Sequence, residues 1–216
     1  THRYTLFPYT TLFRSAVAGN SPVTCGTPIN GLGTGNVAAQ LKDLRFYVSD
    51  AALVRADGVL VPIKLGANDA WNYTNADASA RVTMIDLENG TGSCASGTTA
   101  TNDLLKGTVP AGDYTGVRLT IGVPEKINHL QTTAAPPPLD LLAMNWSWTS
   151  GYKFAKIEVT DPNPTGPAPW TANTFNVHLG STVCTGDVAA NTYACTTPNR
   201  MTFTLNSFND QTQKIA

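Results

Sequence analysis

Charged side chains are scarce in this 216-residue chain: they make up 13% of it, and the formal net charge is −1. Without a basic stripe, nothing supplies the phosphate-neutralising contacts on which nucleic-acid binding depends, so we exclude nucleic acid as a partner. Long apolar runs are absent too, and none approaches the roughly 20 residues that a membrane-spanning helix needs. We therefore predict a protein that does not span a membrane.

Cysteine is limited to four residues, Cys25, Cys94, Cys184 and Cys195, and no C-x-x-C pair occurs among them. This spacing argues against a zinc ribbon, a thioredoxin-like motif or a c-type haem attachment site, and favours two disulfides. Of the three possible connectivities we favour Cys184 with Cys195, a short hairpin-like loop, and Cys25 with Cys94, which ties the N-terminal segment to the body. Disulfides imply an oxidising compartment, so we expect a periplasmic or extracellular protein.

Sustained helical periodicity is also missing, whereas alternation with a period of two is frequent. Leu44, Phe46 and Val48 alternate with more polar neighbours, which is typical of a strand with one buried face. Six more runs rich in β-branched and aromatic residues predict further strands: Gly58 to Leu65, Arg81 to Leu87, Tyr114 to Ile121, Tyr152 to Val159, Thr174 to Leu179 and Met201 to Phe208. We predict an all-β, single-domain antiparallel β-sandwich with long loops and two disulfides, since about 200 residues suit one such domain.

The first fifteen residues lack the continuous apolar core of a leader peptide. Residues 5–15 instead resemble the in-frame translation of a short-read sequencing adapter, so we expect residues 1–15 to be an artefact and residues 16–216 to form the natural domain. A true export signal could then have been lost upstream, and the C-terminus could be truncated as well. On this interpretation His2 is not a natural residue, and His129 and His178 are the natural histidines.

The most unusual passage is Trp146-Ser147-Trp148, because strand alternation would place both indoles on one face. Core packing is the ordinary explanation of such a pair, and each histidine taken alone could be structural. Together, however, His129 and His178 are the whole natural imidazole supply. Two imidazoles with at most one further ligand suit Cu(I), which accepts low coordination, whereas zinc usually takes three or four protein ligands.

Other chemistry has weaker support in the sequence. No G-x-S-x-G elbow occurs, and Ser181 near His178 is not a hydrolase triad without the geometry to match. Asp86, Glu88 and Asn89 could suggest calcium, but they lack EF-hand spacing, so we expect a solvated turn there. We therefore predict no enzymatic activity.

An ordered series of blocks from Cys25 to Phe208 closely resembles the MbnP-like family, also called metallo-mystery-pair four-Cys proteins. The blocks are Leu44 to Asp50, Asp86 to Gly92, Gly122 to Pro124, Asn128 and His129, Ala135 to Leu139, Ala143 to Trp148, Gly151 to Phe154, His178 to Ser181, and Pro198 to Arg200. They cover nearly all of the natural chain.

This resemblance implies an exported copper-binding protein paired with a di-haem c-type cytochrome of the MauG and cytochrome c peroxidase type. In the family that partner oxidises a tryptophan to kynurenine, which is associated with formation of the copper site. Carried onto this sequence, His129 and His178 become the copper ligands, and Trp146 or Trp148 the modified residue. The alternative is a structural or adhesive surface β-sandwich whose tryptophan pair lies in the core or binds carbohydrate.

Overall fold

The computed structural model describes residues 6–12, 16–147, 149–167, 169–187, 190 and 192–208. Within these residues, helix is confined to α1 (Glu125–Asn128) and to short 3-10 turns at Gly92–Cys94 and Leu142–Met144. No helix in this part of the chain has the length and apolar character needed to cross a membrane. The described chain is otherwise built from strands and loops, as the period-two pattern predicted.

The strands of the described residues are β1 (Leu6–Leu12), β2 (Val17–Ala18), β3 (Ser21–Pro22), β4 (Pro28–Leu32), β5 (Val37–Arg55), β6 (Leu60–Pro62), β7 (Lys64–Leu65), β8 (Asn72–Thr74), β9 (Arg81–Asp86), β10 (Leu104–Pro110), β11 (Tyr114–Ile121), β12 (Asn145–Ser147), β13 (Gly151–Tyr152), β14 (Ala155–Thr160), β15 (Thr174–Leu179), β16 (Thr182–Thr185), β17 (Ala194–Thr197) and β18 (Met201–Asn206).

A nine-stranded sheet forms the centre of the molecule, and a three-stranded sheet β1-β10-β7 packs against it. The large sheet has the path β15-β14-β5-β11-β18, with β4, β6, β8 and β9 joined off this path. Each strand pairing in the two sheets is antiparallel. The prediction of an all-β antiparallel sandwich is confirmed.

The long strand β5 pairs with different strands along its length because it bends at a β-bulge. Its register with β11 shifts between the pairs Arg118–Ala52 and Thr120–Ser49, and the intervening Asp50 has a φ of 49°. Such an extra residue increases the local twist and bends the strand. The first half of β5 therefore pairs with β14, while the second half pairs with β11 and β6.

The central sheet is covered on both of its faces. Tyr47 belongs to one apolar cluster and the next residue, Val48, to another; on β9, Met84 and Ile85 divide in the same way. The prediction of a single buried face for residues 44–49 was therefore wrong. The cause is tertiary: the three-stranded sheet covers one face, and the segment from residue 123 to 154 covers the other.

The covering segment is held by two buried tyrosines. The Tyr47 hydroxyl donates a 2.9 Å hydrogen bond to the Pro138 carbonyl, and the Tyr152 hydroxyl donates one of 2.7 Å to the Leu139 carbonyl. Their rings meet edge to face at 6.0 Å, a favoured aromatic geometry. The stiff proline segment that joins His129 to Trp146 is thus fixed to the sheet.

Both predicted disulfides are present. Cys25–Cys94 packs with Leu41 and Leu44 in a third apolar cluster, whereas Cys184 and Cys195 lie directly opposite each other on the hairpin β16-β17. At the N-terminal end, β1 pairs with β10. That pairing does not bear on the origin of residues 1–15, so their assignment as an artefact stays a prediction.

Candidate metal centre

His129 directly follows α1 and is buried, with 8% of its surface exposed. Its Nε2 lies 3.2 Å from Cys195 Sγ and 3.5 Å from Oε1 of Glu125, one helical turn earlier. The Tyr193 ring lies against the imidazole, with 5.7 Å between centroids. Nothing in the sequence predicted that His129 would contact a cysteine, yet the fold places its imidazole against the hairpin disulfide.

Local structure explains why His129 points to this place. Pro124 precedes the first residue of α1, and its carbonyl accepts a 2.9 Å hydrogen bond from the Ile127 amide. Ile127 anchors the helix in the core. The buried Asn128 accepts a 3.1 Å hydrogen bond from the Tyr152 amide. A Cβ at Gly151 would lie 2.5 Å from the Asn128 amide nitrogen, so only glycine fits opposite this anchor.

Trp146 lies on β12 and is 42% exposed, so core packing, the ordinary explanation for a tryptophan pair, does not apply to it. Its indole packs over Gly180, where an added Cβ would lie 2.3 Å from a ring carbon and 2.7 Å from the Tyr152 carbonyl oxygen. Glycine is therefore required in the His178-Leu179-Gly180-Ser181 block, because a side chain at position 180 would displace the Trp146 ring. Trp148, the other candidate for modification, lies outside the described residues.

An open groove of about 520 Å³ runs from Trp146 to the hairpin disulfide. It is lined by Trp146, Thr149, Ser150, Ser181, Thr182, Val183, Cys184 and Tyr193. Since Tyr193 also lies against His129, the groove connects the exposed indole with the surroundings of that histidine.

His178 lies on β15, opposite Lys156 of β14. Its Nε2 is 2.8 Å from Oε1 of Glu158, which leaves Nδ1 as the nitrogen available to a metal. Burial would raise the pKa of Glu158, but the hydrogen bond to His178 and the charges of Lys156 and Lys42 hold this pKa below its ordinary value. A charged carboxylate therefore orients the imidazole, as carboxylates commonly do for metal-binding histidines.

The two histidines do not contact each other: His129 faces Glu125 and Cys195, and His178 faces Glu158. Trp146 is near both histidines. Its indole packs on Gly180, two residues after His178, and it lines the same groove as Tyr193, which lies against His129. Their assignment as a ligand pair stays a prediction.

Sequence reasoning missed the carboxylates that accompany both imidazoles. Glu125 precedes His129 by four residues, which is the spacing of side-chain neighbours on a helix, so that partner had a local signal. No local pattern pointed to Glu158, because its contact with His178 depends on the register between two strands.

The Ser181 hydroxyl donates a hydrogen bond to the Pro198 carbonyl at 2.9 Å, and it is not paired with His178.

The family model for MbnP matches residues 10–216. This chain belongs to the MbnP family. MbnP from Methylosinus trichosporium is a similar solved structure, with a TM-score of 0.81 and 32% sequence identity, covering 97% of this chain and 75% of that one. A search of curated proteins found no match. The resemblance drawn from the sequence blocks is confirmed.

A buried ionic network lies inside this MbnP-family fold, behind His178. The Arg45 side chain is 1% exposed; its Nε donates to Asp43 at 2.8 Å, and its Nη1 is 3.8 Å from Glu88. Lys156 contacts both Asp43 and Glu158. The network therefore extends from the sheet interior to the carboxylate that holds His178.

The solvated turn expected at Asp86 and Glu88 was a wrong prediction, since both residues are fully buried. Glu88 accepts hydrogen bonds from the amides of Gly90 and Thr98, at 2.8 and 2.6 Å. Burial raises the pKa of Asp86 to about 7, and the Glu88 charge adds to this, while a hydrogen bond from Thr98 and the Arg45 charge oppose it. In this MbnP-family member the block therefore begins in the interior with Asp86 and Glu88 and reaches the surface at Asn89.

Proposed function

We propose that this protein binds copper at the end of the sandwich that carries Trp146, acts in copper acquisition or handling, and has no catalytic turnover of its own. The MbnP family is associated with copper. The observation that supports the location best is the exposed Trp146 indole, which lies over Gly180 in the groove that leads to Tyr193 and His129.

His129 and His178 are the proposed protein ligands. Imidazole is a good copper donor, and Cu(I) accepts a site with two or three ligands. Glu158 would hold Nε2 of His178 and leave Nδ1 for the metal. Such a carboxylate fixes the tautomer and raises the basicity of the ligand, which strengthens metal binding.

Trp146 is the proposed target of a di-haem c-type cytochrome of the MauG type. Its indole nitrogen has no lone pair free for a metal, because that pair belongs to the aromatic system. Oxidation adds two oxygen atoms across the C2–C3 bond of the indole and breaks that bond; hydrolysis of the formyl group then releases formate and gives kynurenine. The oxygen comes from dioxygen or peroxide activated at the haems. The product carries an aryl amine and a ketone as new donor groups.

We also propose that the protein is exported to the periplasm or the cell surface. The two disulfides support this, because thiols stay reduced in the cytosol and pair in oxidising compartments.

Copper binding by the histidines can be tested by measuring copper per chain in the disulfide-bonded protein. We expect about one copper ion per chain, lost in the His129→Ala/His178→Ala double variant and weakened in each single variant. Asn176→Ala is a matched control, since Asn176 is exposed two residues before His178 on the same strand. Unchanged copper stoichiometry in the double variant would disprove this ligand assignment.

Tryptophan oxidation can be tested by coexpression with the di-haem cytochrome, followed by intact-mass analysis and peptide mapping. We expect the mass change of kynurenine in the peptide that contains Trp146, and its loss in the Trp146→Phe variant. Trp170 serves as an internal control because it lies in a different, apolar pocket. A chain left unmodified by an active partner would rule out this step.

A further inference from the structure

We propose that the hairpin disulfide Cys184–Cys195 masks a second metal site, which forms with His129 when the disulfide is reduced. Reduced, the two cysteines supply thiolates and His129 a nitrogen, which together bind Cu(I). This inference goes beyond the proposed function, although both use His129: the first site exists in the oxidised protein and needs His178, whereas this one exists in the reduced protein and does not.

The donor atoms of this second site are already close together. One ring nitrogen of His129 and the sulfur atoms of Cys184 and Cys195 all lie within 4.8 Å of one another, and Nε2 is 3.2 Å from Cys195 Sγ. Glu125 links the two elements: its Oε1 accepts a 3.0 Å hydrogen bond from the Cys195 amide and lies 3.5 Å from His129 Nε2. Little backbone movement is needed once the sulfur atoms separate.

The other disulfide has similar neighbours but a different environment. Cys25, Glu88 and Cys94 also lie within 4.8 Å of one another, but Cys94 is fully buried and Glu88 is occupied by two backbone amides. Cys184 and Cys195 are only half-buried, and Cys184 borders the open groove. Cys25 is half-buried as well, but its partner Cys94 is enclosed, whereas both cysteines of the hairpin are half-buried. A reductant and a metal ion therefore reach the hairpin disulfide more readily than the other one.

The redox step is a two-electron reduction of the hairpin disulfide by a thiol or dithiol reductant. The reductant is oxidised to its own disulfide, the sulfur–sulfur bond breaks, and two protons complete the thiols. Both thiols lose their protons when they bind the metal, because the thiolate is the ligand form. The resulting set of one nitrogen and two sulfur donors favours Cu(I), since soft thiolates select this ion and it accepts three ligands.

The test uses the His178→Ala variant, in which the proposed oxidised site has lost a ligand. The protein is reduced without oxygen by a water-soluble phosphine, which becomes the phosphine oxide by taking oxygen from water. After removal of the reductant, Cu(I) is titrated against a chromophoric chelator, and the thiols are alkylated and mapped. We expect about one Cu(I) per reduced chain, markedly weaker binding in the oxidised chain, and copper-dependent protection of Cys184 and Cys195 from alkylation.

Two results would overturn the inference: no rise in copper binding on reduction, or the same affinity after His129 is also replaced by alanine. Circular dichroism monitors the fold during reduction. If reduction unfolds the chain, Cys195→Ser in the His178→Ala background opens the hairpin disulfide without reductant. This variant should bind Cu(I) through Cys184 and His129, and a failure to do so would equally reject the site.

Discussion

Replacement of Arg45 by methionine is expected to lower the free energy of unfolding by about 3–5 kcal/mol at neutral pH. Methionine replaces the apolar stem of arginine but carries no charge, so it leaves Glu88 buried without its cation and leaves Asp43 with Lys156 alone. Removing one partner of a buried ion pair costs this much because the remaining charge can neither reach water nor find a substitute. Urea unfolding of wild type and variant at matched pH measures the loss.

The same network makes the stability of the protein depend on pH. The pKa of Asp86 is near 4 in an unfolded chain and is raised to about 7 by burial in the fold. Its favourable contribution is thus complete below about pH 4 and is lost as pH rises through about 7, with a slope of at most about 1.4 kcal/mol per pH unit. The opposite holds for Glu158: its lowered pKa gives stability that is present above its unfolded pKa and lost in acid.

Loss of Arg45 should steepen the decline around neutral pH, because its positive charge holds the pKa of Asp86 down. The gap in stability between Arg45→Met and wild type should therefore be wider at about pH 8 than at about pH 5. Arg55→Met is the matched control, since Arg55 and Asp57 form a pair whose side chains are each 51% exposed, and such pairs contribute little. Equal losses in the two variants would contradict a structural role for the buried network.

Removal of the Cys25–Cys94 disulfide, by changing both residues to alanine, is expected to cost about 4 kcal/mol. The bond spans 69 residues, so its absence gives the unfolded chain a large gain in conformational freedom. The substitution also takes the buried Cys94 sulfur out of the cluster formed with Leu41 and Leu44. The midpoint of urea unfolding reports the combined effect.

The comparison variant removes Cys184–Cys195 in the same way. Its loop spans 11 residues, which corresponds to about 3 kcal/mol, and its hairpin lies outside the two large sheets. We expect this variant to keep the fold of the sandwich and to lose less stability than the first. A larger loss from the hairpin variant would contradict the expected order, in which the longer loop and the packed Cys94 make Cys25–Cys94 the more stabilising bond.

Features that depend on local patterns were predictable from the sequence. β-branched residues in alternation predicted a strand at Arg81 to Leu87, and β9 (Arg81–Asp86) occupies this run. The even cysteine count, with one close pair and one distant pair, led to the correct connectivity. The ordered blocks led to the family, because each keeps its own short pattern.

Features that depend on which distant segments meet were not predictable. Arg45 and Glu88 looked like solvent-facing residues, yet both are buried. They lie 3.8 Å from each other, and Glu88 is enclosed by the loop whose Gly90 and Thr98 amides it binds. Nothing local in the sequence indicated that His129 would contact Cys195, 66 residues later, or that strand register would bring Glu158 to His178.

The Trp146 segment shows most clearly the difference between what local sequence patterns determine and what tertiary packing decides. The sequence by itself determined an all-β, disulfide-bonded member of the MbnP family with an unusual tryptophan pair and few imidazoles. Only the tertiary structure decided that the Trp146 indole is half-exposed over Gly180. The reason is physical: alternation in a strand fixes which side chains share a face, whereas the packing of other segments decides whether that face meets protein or solvent.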